Sequence, residues 1–241
     1  MQWLKRTATW GLLLVACAAG AEQSIEQQLK ERLKTSMPEA KVTGVKPAAI
    51  AGLYEVMLGP TVLYMTADGR YAFRGDIFDL QGRSNLTSQR RVEARQAAFH
   101  AAEQGAIEFA PADGKIAHTL YVFTDVDCGY CRKMHGEIGK LNAAGIAVKY
   151  FAFPRTGLNS ESFNKAVTVW CSADKKEALT LSKQGRELAA KTCPNPVAAQ
   201  YELGQSMGVH GTPAVYLEDG HELGGYVPAA ELIKMFADGQ M

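Results

Sequence analysis

The strongest constraint on the fold of this chain is a pair of cysteines two residues apart, Cys128-Gly129-Tyr130-Cys131, set between two segments of different periodicity. Ahead of the pair, residues 116–124 (IAHTLYVFT) form an apolar run rich in β-branched and aromatic residues, the pattern of a buried strand. Behind it, the chain from Cys128 to about Asn142 reads as one helix, stopped by Gly145. The pair is thereby expected at a helix N-terminus, where unpaired N–H groups and about half a positive charge favour an anion. A thiol held there is stabilised as thiolate, the nucleophilic form. A fall of two pKa units would favour the anion by about 2.7 kcal/mol. Cys128, at the helix start, is expected to be the exposed, attacking sulfur. Cys131, one turn further in and more buried, is the expected resolving sulfur. The nearby charges oppose one another: Asp125 and Asp127 should raise the thiol pKa, whereas Arg132 and Lys133 should lower it.

Other uses of a CxxC pair meet specific obstacles. A structural zinc site takes four ligands, commonly from two such pairs. Here there is one, Cys171 and Cys193 are 22 positions apart, and His135, four residues after Cys131, leaves a mixed site as the alternative. Attachment of c-type haem needs a histidine directly after the second cysteine, where Arg132 stands. An inert structural disulfide is the remaining alternative. The five histidines, at 100, 118, 135, 210 and 221, are scattered, and none reads as a general base. The expectation is a redox dithiol without metal or cofactor.

Past the first helix the alternation continues. IAVKYFAF is a second buried strand closed by Pro154, and helical stretches run to about Met207. AVYLE and HELGG flank Asp219-Gly220 as a hairpin, and Pro228–Phe236 is a last helix with proline in its first turn. The order β-α-β, helices, β-β-α fits an α/β layer with a mixed sheet. Val209-His210-Gly211-Thr212-Pro213 leads straight into AVYLE, and proline is tolerated at a strand start. A cis Thr212-Pro213 bond would turn backbone groups toward the cysteines, where they could bind an extended substrate as an added strand. A trans proline in an ordinary loop is the alternative. Cys171 and Cys193 lie among the expected helices. A bridge closing a loop of about 23 residues would contribute roughly 3 kcal/mol in the chain-entropy model; a second redox centre is the alternative.

Upstream, Ile25, Leu29 and Leu33 recur every four residues in a short amphipathic helix over 24–35, ended by Pro38. Between 42 and 80, LYEVML, TVLYMT, RYAFR and DIFDL are separated by turn residues and read as a small antiparallel sheet, with Asp68-Gly69 a hairpin signal. Sixty residues make a marginal core, so this unit is a candidate dimerisation module, with a lid or substrate domain as the alternative. Residues 85–104 read as a polar, arginine-rich helix of about 30 Å, stopped by Gly105 and suited to a solvated spacer.

The N-terminus reads as an address rather than as structure. Lys5 and Arg6 precede a nine-residue apolar core (8–16), too short to span a bilayer, and Ala19-Gly20-Ala21 fits signal-peptide cleavage before Glu22. Leu14-Val15-Ala16-Cys17 also resembles a lipobox, which would make Cys17 a lipid-bearing N-terminus. Cleavage before Glu22 leaves 24 basic and 25 acidic residues, which gives no electrostatic case for nucleic acid. It also leaves four cysteines, an even number in an oxidising compartment.

Taken together, FTDVDCGYC, KYFAFPRTGL, VWCSADK and GVHGTPAV, with AGLYEVML and VLYMTADGRYAFRGDIFDL upstream, resemble the bacterial periplasmic thiol:disulfide interchange proteins of the DsbC/DsbG family. The resemblance implies a mixed α+β and α/β architecture. A signal peptide (1–21) would precede a small cystatin-like α+β dimerisation domain (22–83). A linker helix (84–108) and a thioredoxin-like catalytic domain with a helical insertion (109–241) would follow. It implies attack by Cys128, resolution by Cys131, substrate binding at cis Thr212-Pro213 and a structural Cys171–Cys193 bridge. The Gly129-Tyr130 dipeptide favours the DsbC branch over DsbG, which typically carries Pro-Tyr. The implied protein is a periplasmic homodimer that reshuffles non-native disulfides of misfolded exported proteins, kept reduced by a transmembrane thiol reductase of the DsbD type. A DsbG-like reductase of sulfenylated cysteines is one alternative. A chaperone holding unfolded chains in a dimer cleft is another. The lipobox-like Cys17 departs from the soluble family pattern and keeps membrane tethering open.

Overall fold

The computed structural model describes the backbone of residues 15–239 and side chains from Ile25 onward. Most of the expected signal segment, the Cys17 thiol and the side chains at the Glu22 cleavage point lie outside that description. The chain divides into two compact units, one through Leu58 with Val62–Asp76, the other Gly59–Thr61 with Ile77 onward.

The first unit joins helix α1 (Val15–Ser36) to strands β1 (Gly44–Pro47), β2 (Leu53–Leu58), β3 (Thr61–Thr66) and β4 (Ala72–Phe73) in the order β1-β2-β3-β4. Leu29 and Leu33, the recurring residues of the amphipathic pattern, are buried against Val56 and Met65. Gly69 takes φ +66°, and the Asp68 carboxylate accepts from the Arg70 N–H, so the β3–β4 turn falls where Asp68-Gly69 signals it. DIFDL does not join this sheet. It contributes β5 (Phe78–Asp79), which pairs with β6 (Ser84–Asn85) in a separate hairpin.

In the second unit α2 (Leu86–Ala102) is capped by Asn85, whose side chain accepts from the Ser88 N–H. Then follow β7 (Ile107–Phe109), β8 (His118–Thr124), α3 (Gly129–Gly136), α4 (Ile138–Ala143) and β9 (Ile146–Ala152). Next come α5 (Glu161–Trp170), α6 (Lys175–Lys183), α7 (Val197–Met207), β10 (Ala214–Leu217), β11 (Glu222–Gly224) and α8 (Ala229–Ala237). The sheet order is β11-β10-β8-β9-β7, with β8 and β9 parallel and the other pairs antiparallel. Successive residues of central β8 supply opposite faces, as strand geometry requires. Leu120 and Val122 pack with Met134 of α3, Trp170 of α5, Leu179 of α6 and Leu232 of α8. Tyr121 and Phe123 pack with Phe151, Tyr216 and Met207 of α7.

Two further expectations change, and one strand goes unanticipated. The single helix from Cys128 to Asn142 is two, broken at Glu137, whose carboxylate accepts from Tyr226 Oη at 2.8 Å and from the Ala229 N–H at 3.3 Å. The short edge strand β7 has too little apolar pattern to stand out. The 85–104 helix is not a solvated spacer. Its Phe99 is fully buried, stacked on Tyr121 at 4.4 Å between centroids and tilted against Phe123, Phe151 and Tyr216. One aromatic docks an otherwise polar helix, too weak a signal for a periodicity reading. Phe99→Ala is expected to lower the unfolding free energy by about 3–5 kcal/mol, read from the denaturant midpoint. A cost below about 1 kcal/mol would mean that α2 is not anchored there.

Candidate active site

Strand β8 delivers the chain to the site. After Thr124 the chain turns through Asp125-Val126-Asp127, and Cys128 becomes the N-cap of α3, in extended conformation at φ −77° and ψ 122°. Its Sγ accepts from the Cys131 N–H at 3.4 Å, the bond an N-cap oxygen ordinarily makes. The antiparallel register Ala214↔Phe123 sets the residues before β10 at the same end of β8. There Thr212-Pro213 is cis, and Cys128 Sγ lies 3.1 Å from the Thr212 carbonyl oxygen, a bond it donates only while protonated. The Thr212 hydroxyl is buried beside this sulfur.

Both cysteines are free thiols, but their environments push them apart. A hydrogen bond from the Cys131 thiol first, then one from the Thr212 side chain, the Cys131 N–H and the nearby Arg155 guanidinium together outweigh burial and push the Cys128 thiol down to about 5. Burial, and then the hydrogen bond given to Cys128, push Cys131 far above the ordinary thiol range. One sulfur is thus an anion at neutral pH and the other holds a proton. Exposure departs from expectation: Cys128 is 3% exposed and Cys131 1%, because Cys128 lies under the Thr212-Pro213 segment. Gly129 and Tyr130 form the outward face, and Tyr130, 63% exposed, stacks near Tyr226.

The charges also act differently from their sequence reading. Burial would raise the Asp125 carboxyl, but hydrogen bonds from Ser162 Oγ (2.6 Å), the Arg155 N–H (2.9 Å), the Asp127 N–H (2.9 Å) and Arg155 Nε (3.2 Å) hold it below the usual range. Asp127 pairs with Arg132 at 3.3 Å and Lys165 at 3.2 Å. Arg132 is also tied to the Val126 carbonyl, and Lys133 lies over the Tyr226 ring. The cation that lowers Cys128 is Arg155, which sequence reasoning missed. A signal was present: β9 runs parallel to β8 with Ala152 opposite Thr124, so residues just past Pro154 must lie beside the CxxC turn. His135 is held by Tyr150 Oη (3.4 Å) and Thr180 Oγ1 (3.0 Å), and burial, then Lys183, push it down to about 4. Away from the site, Cys171 at the end of α5 is bonded to Cys193, with Cα atoms 5.7 Å apart.

Comparison with known proteins now has a geometry to attach to. Residues 16–88 match the model of the disulfide bond isomerase protein N-terminal domain, and residues 104–240 match the thioredoxin-like domain. The thiol:disulfide interchange protein DsbC of Dickeya dadantii is 34% identical over 238 residues, covering 96% of this chain and 94% of the relative. The chain belongs to the DsbC family. DsbC of Escherichia coli K12 is likewise 34% identical, over 93% of this chain and 92% of that one. The crystal structure of a disulfide interchange protein from Neisseria gonorrhoeae superposes with a TM-score of 0.50 at 29% identity, covering 57% of this chain and 97% of that one. Within the DsbC framework, the difference between the two thiols is the chemical content of the site. Because the Cys131 hydrogen bond is the largest contribution lowering Cys128, Cys131→Ala is expected to move the pH midpoint of Cys128 alkylation upward from about 5. An unchanged midpoint would contradict this origin of the low pKa.

Proposed function

We propose that this chain is a periplasmic protein disulfide isomerase acting on non-native disulfides of exported proteins, with Cys128 as nucleophile and Cys131 as resolving thiol. The observation that carries this reading is the placement of Cys128 as the N-cap of α3, its Sγ accepting from the Cys131 N–H, with the buried Cys131 thiol one turn behind it, an arrangement that lowers the first thiol and raises the second. The Cys128 thiolate attacks a wrong disulfide, forming a mixed disulfide and releasing one substrate thiolate. That thiolate, or another substrate cysteine, attacks the substrate sulfur of the mixed disulfide, forming a new substrate disulfide and displacing Cys128 as thiolate, so that the enzyme leaves reduced. When the exchange stalls, Cys131 displaces the substrate, and the enzyme leaves as the Cys128–Cys131 disulfide. Rates in such exchange depend on thiolate fraction, nucleophilicity and leaving-group pKa together. Thr212 and Pro213 serve as the substrate-binding segment, since the backbone entering β10 lies against the attacking sulfur and an extended chain can pair there.

The working form in this reading is a homodimer joined through the first unit. Support comes from β4, an edge strand of that unit's sheet, with Phe73 46% exposed and the adjacent Tyr71 57% exposed. The Cys171–Cys193 bridge is structural. A membrane thiol reductase of the DsbD type regenerates the dithiol. Residues 1–21 direct export, and no helix among the described residues is long and apolar enough to cross a membrane.

The test is reactivation of a scrambled multi-disulfide protein. Wild type is expected to restore activity and Cys128→Ala to restore none above background. Recovery that survives Cys128→Ala would overturn the assignment. Absent recovery with a titrating dithiol would turn the reading toward reduction of sulfenylated cysteines.

A further inference from the structure

Behind the two sulfurs lies a lysine that the exchange above does not use. Lys183, at the end of α6, is 4% exposed, and lysine is almost never buried so fully without a partner. Its Nζ donates to Thr124 Oγ1 at 2.7 Å and lies 5.4 Å from the centre of the Tyr150 ring. Asp125, the carboxylate whose charge reaches it, is already bound by Ser162 and Arg155. Thr124 is the last residue of β8, and its hydroxyl faces Cys131 as well as Lys183. The lysine therefore stands one hydroxyl away from the thiol that must lose its proton before it can resolve a mixed disulfide. Phe109, His135, Thr180 and Lys183 border a surface cavity of about 290 Å³, which gives the amine an outlet to water.

We propose that Lys183 is a positioning residue for the resolving step, taking the Cys131 proton through the Thr124 hydroxyl. The inference rests on the reading of Cys128 as attacking and Cys131 as resolving. The neutral amine accepts the proton and becomes ammonium as the Cys131 thiolate forms. That thiolate attacks Cys128 Sγ, the Cys128–substrate S–S bond breaks, the Cys128–Cys131 bond forms, and the substrate leaves as thiolate. The ammonium then returns its proton to water through the cavity. Burial makes the amine suitable by pushing Lys183 down to about 8, so that it exchanges a proton near neutral pH. The groups that set its charge state are Cys131, Cys128, Asp125 and Arg132, with neutral His135 and Tyr150 beside it. A lysine in this place sets how readily a stalled complex is released, and makes that release depend on pH.

The experiment mixes the reduced full chain with one equivalent of an aromatic disulfide that liberates a coloured thiol. The first thiol released reports attack by Cys128, and the second reports resolution by Cys131. In Lys183→Met the second phase is expected to slow by about tenfold or more at neutral pH, with its rise displaced to more alkaline pH and the first phase still present. Lys183→Gln, which keeps a hydrogen bond to Thr124 but accepts no proton, is expected to slow in the same way and guards against a packing effect of methionine. A second phase of wild-type rate and pH dependence in both variants would overturn the proposal. Cys131→Ala separates the two readings, because it must lack the second phase. If that phase persists there, the role of Cys131 fails and not only that of Lys183.

Discussion

The hydrogen bond from the Cys131 N–H to Cys128 Sγ is the interaction on which the rest of the site depends. A sulfur occupies the position where helices ordinarily place an oxygen, and helix α3 supplies its first-turn field to a nucleophile. Everything around it preserves that arrangement. Parallel pairing of β8 with β9 brings Arg155 to the turn, antiparallel pairing with β10 brings Thr212, and the Asp125 network fixes the loop between strand and helix. The folded pKa of Cys128 lies below that of a free thiol at about 8.5. The thiolate therefore stabilises the folded, reduced chain fully above the free-thiol value, and this contribution is lost as pH falls through about 5.

Much of this was legible in the sequence because the relevant patterns are local. The run 116–124, the CxxC turn and Gly145 place a strand, a nucleophile and a helix in order. Leu29 and Leu33 point to the core of the first unit, and Asp68-Gly69 to its turn. The disulfide partners and the Thr212-Pro213 segment were accessible through family resemblance, since composition and spacing left alternatives for both.

What was not legible depends on contacts between distant segments. Arg132 and Lys133 adjoin the cysteines in sequence, yet their charges are taken up by Asp127, the Val126 carbonyl and the Tyr226 ring, while Arg155 from the turn after β9 acts on the thiol. Lys183 lies in a stretch read only as helical, and its bond to Thr124 at the end of β8 shows it to be a buried amine. Phe99 is one aromatic in a helix of arginines and alanines, and its pocket is built from three separate strands. The exposure of Cys128 was overestimated for the same reason, since the segment that covers it arrives from 84 residues away.

The central claim is that one helical turn separates an ionised sulfur from a protonated one. Titration of the two cysteine β-carbons by NMR in the reduced full chain tests it most directly. The account expects Cys128 to titrate near 5 and Cys131 to remain a thiol well beyond the ordinary range. Two cysteines titrating together near the free-thiol value of about 8.5, or Cys131 ionising first, would contradict it.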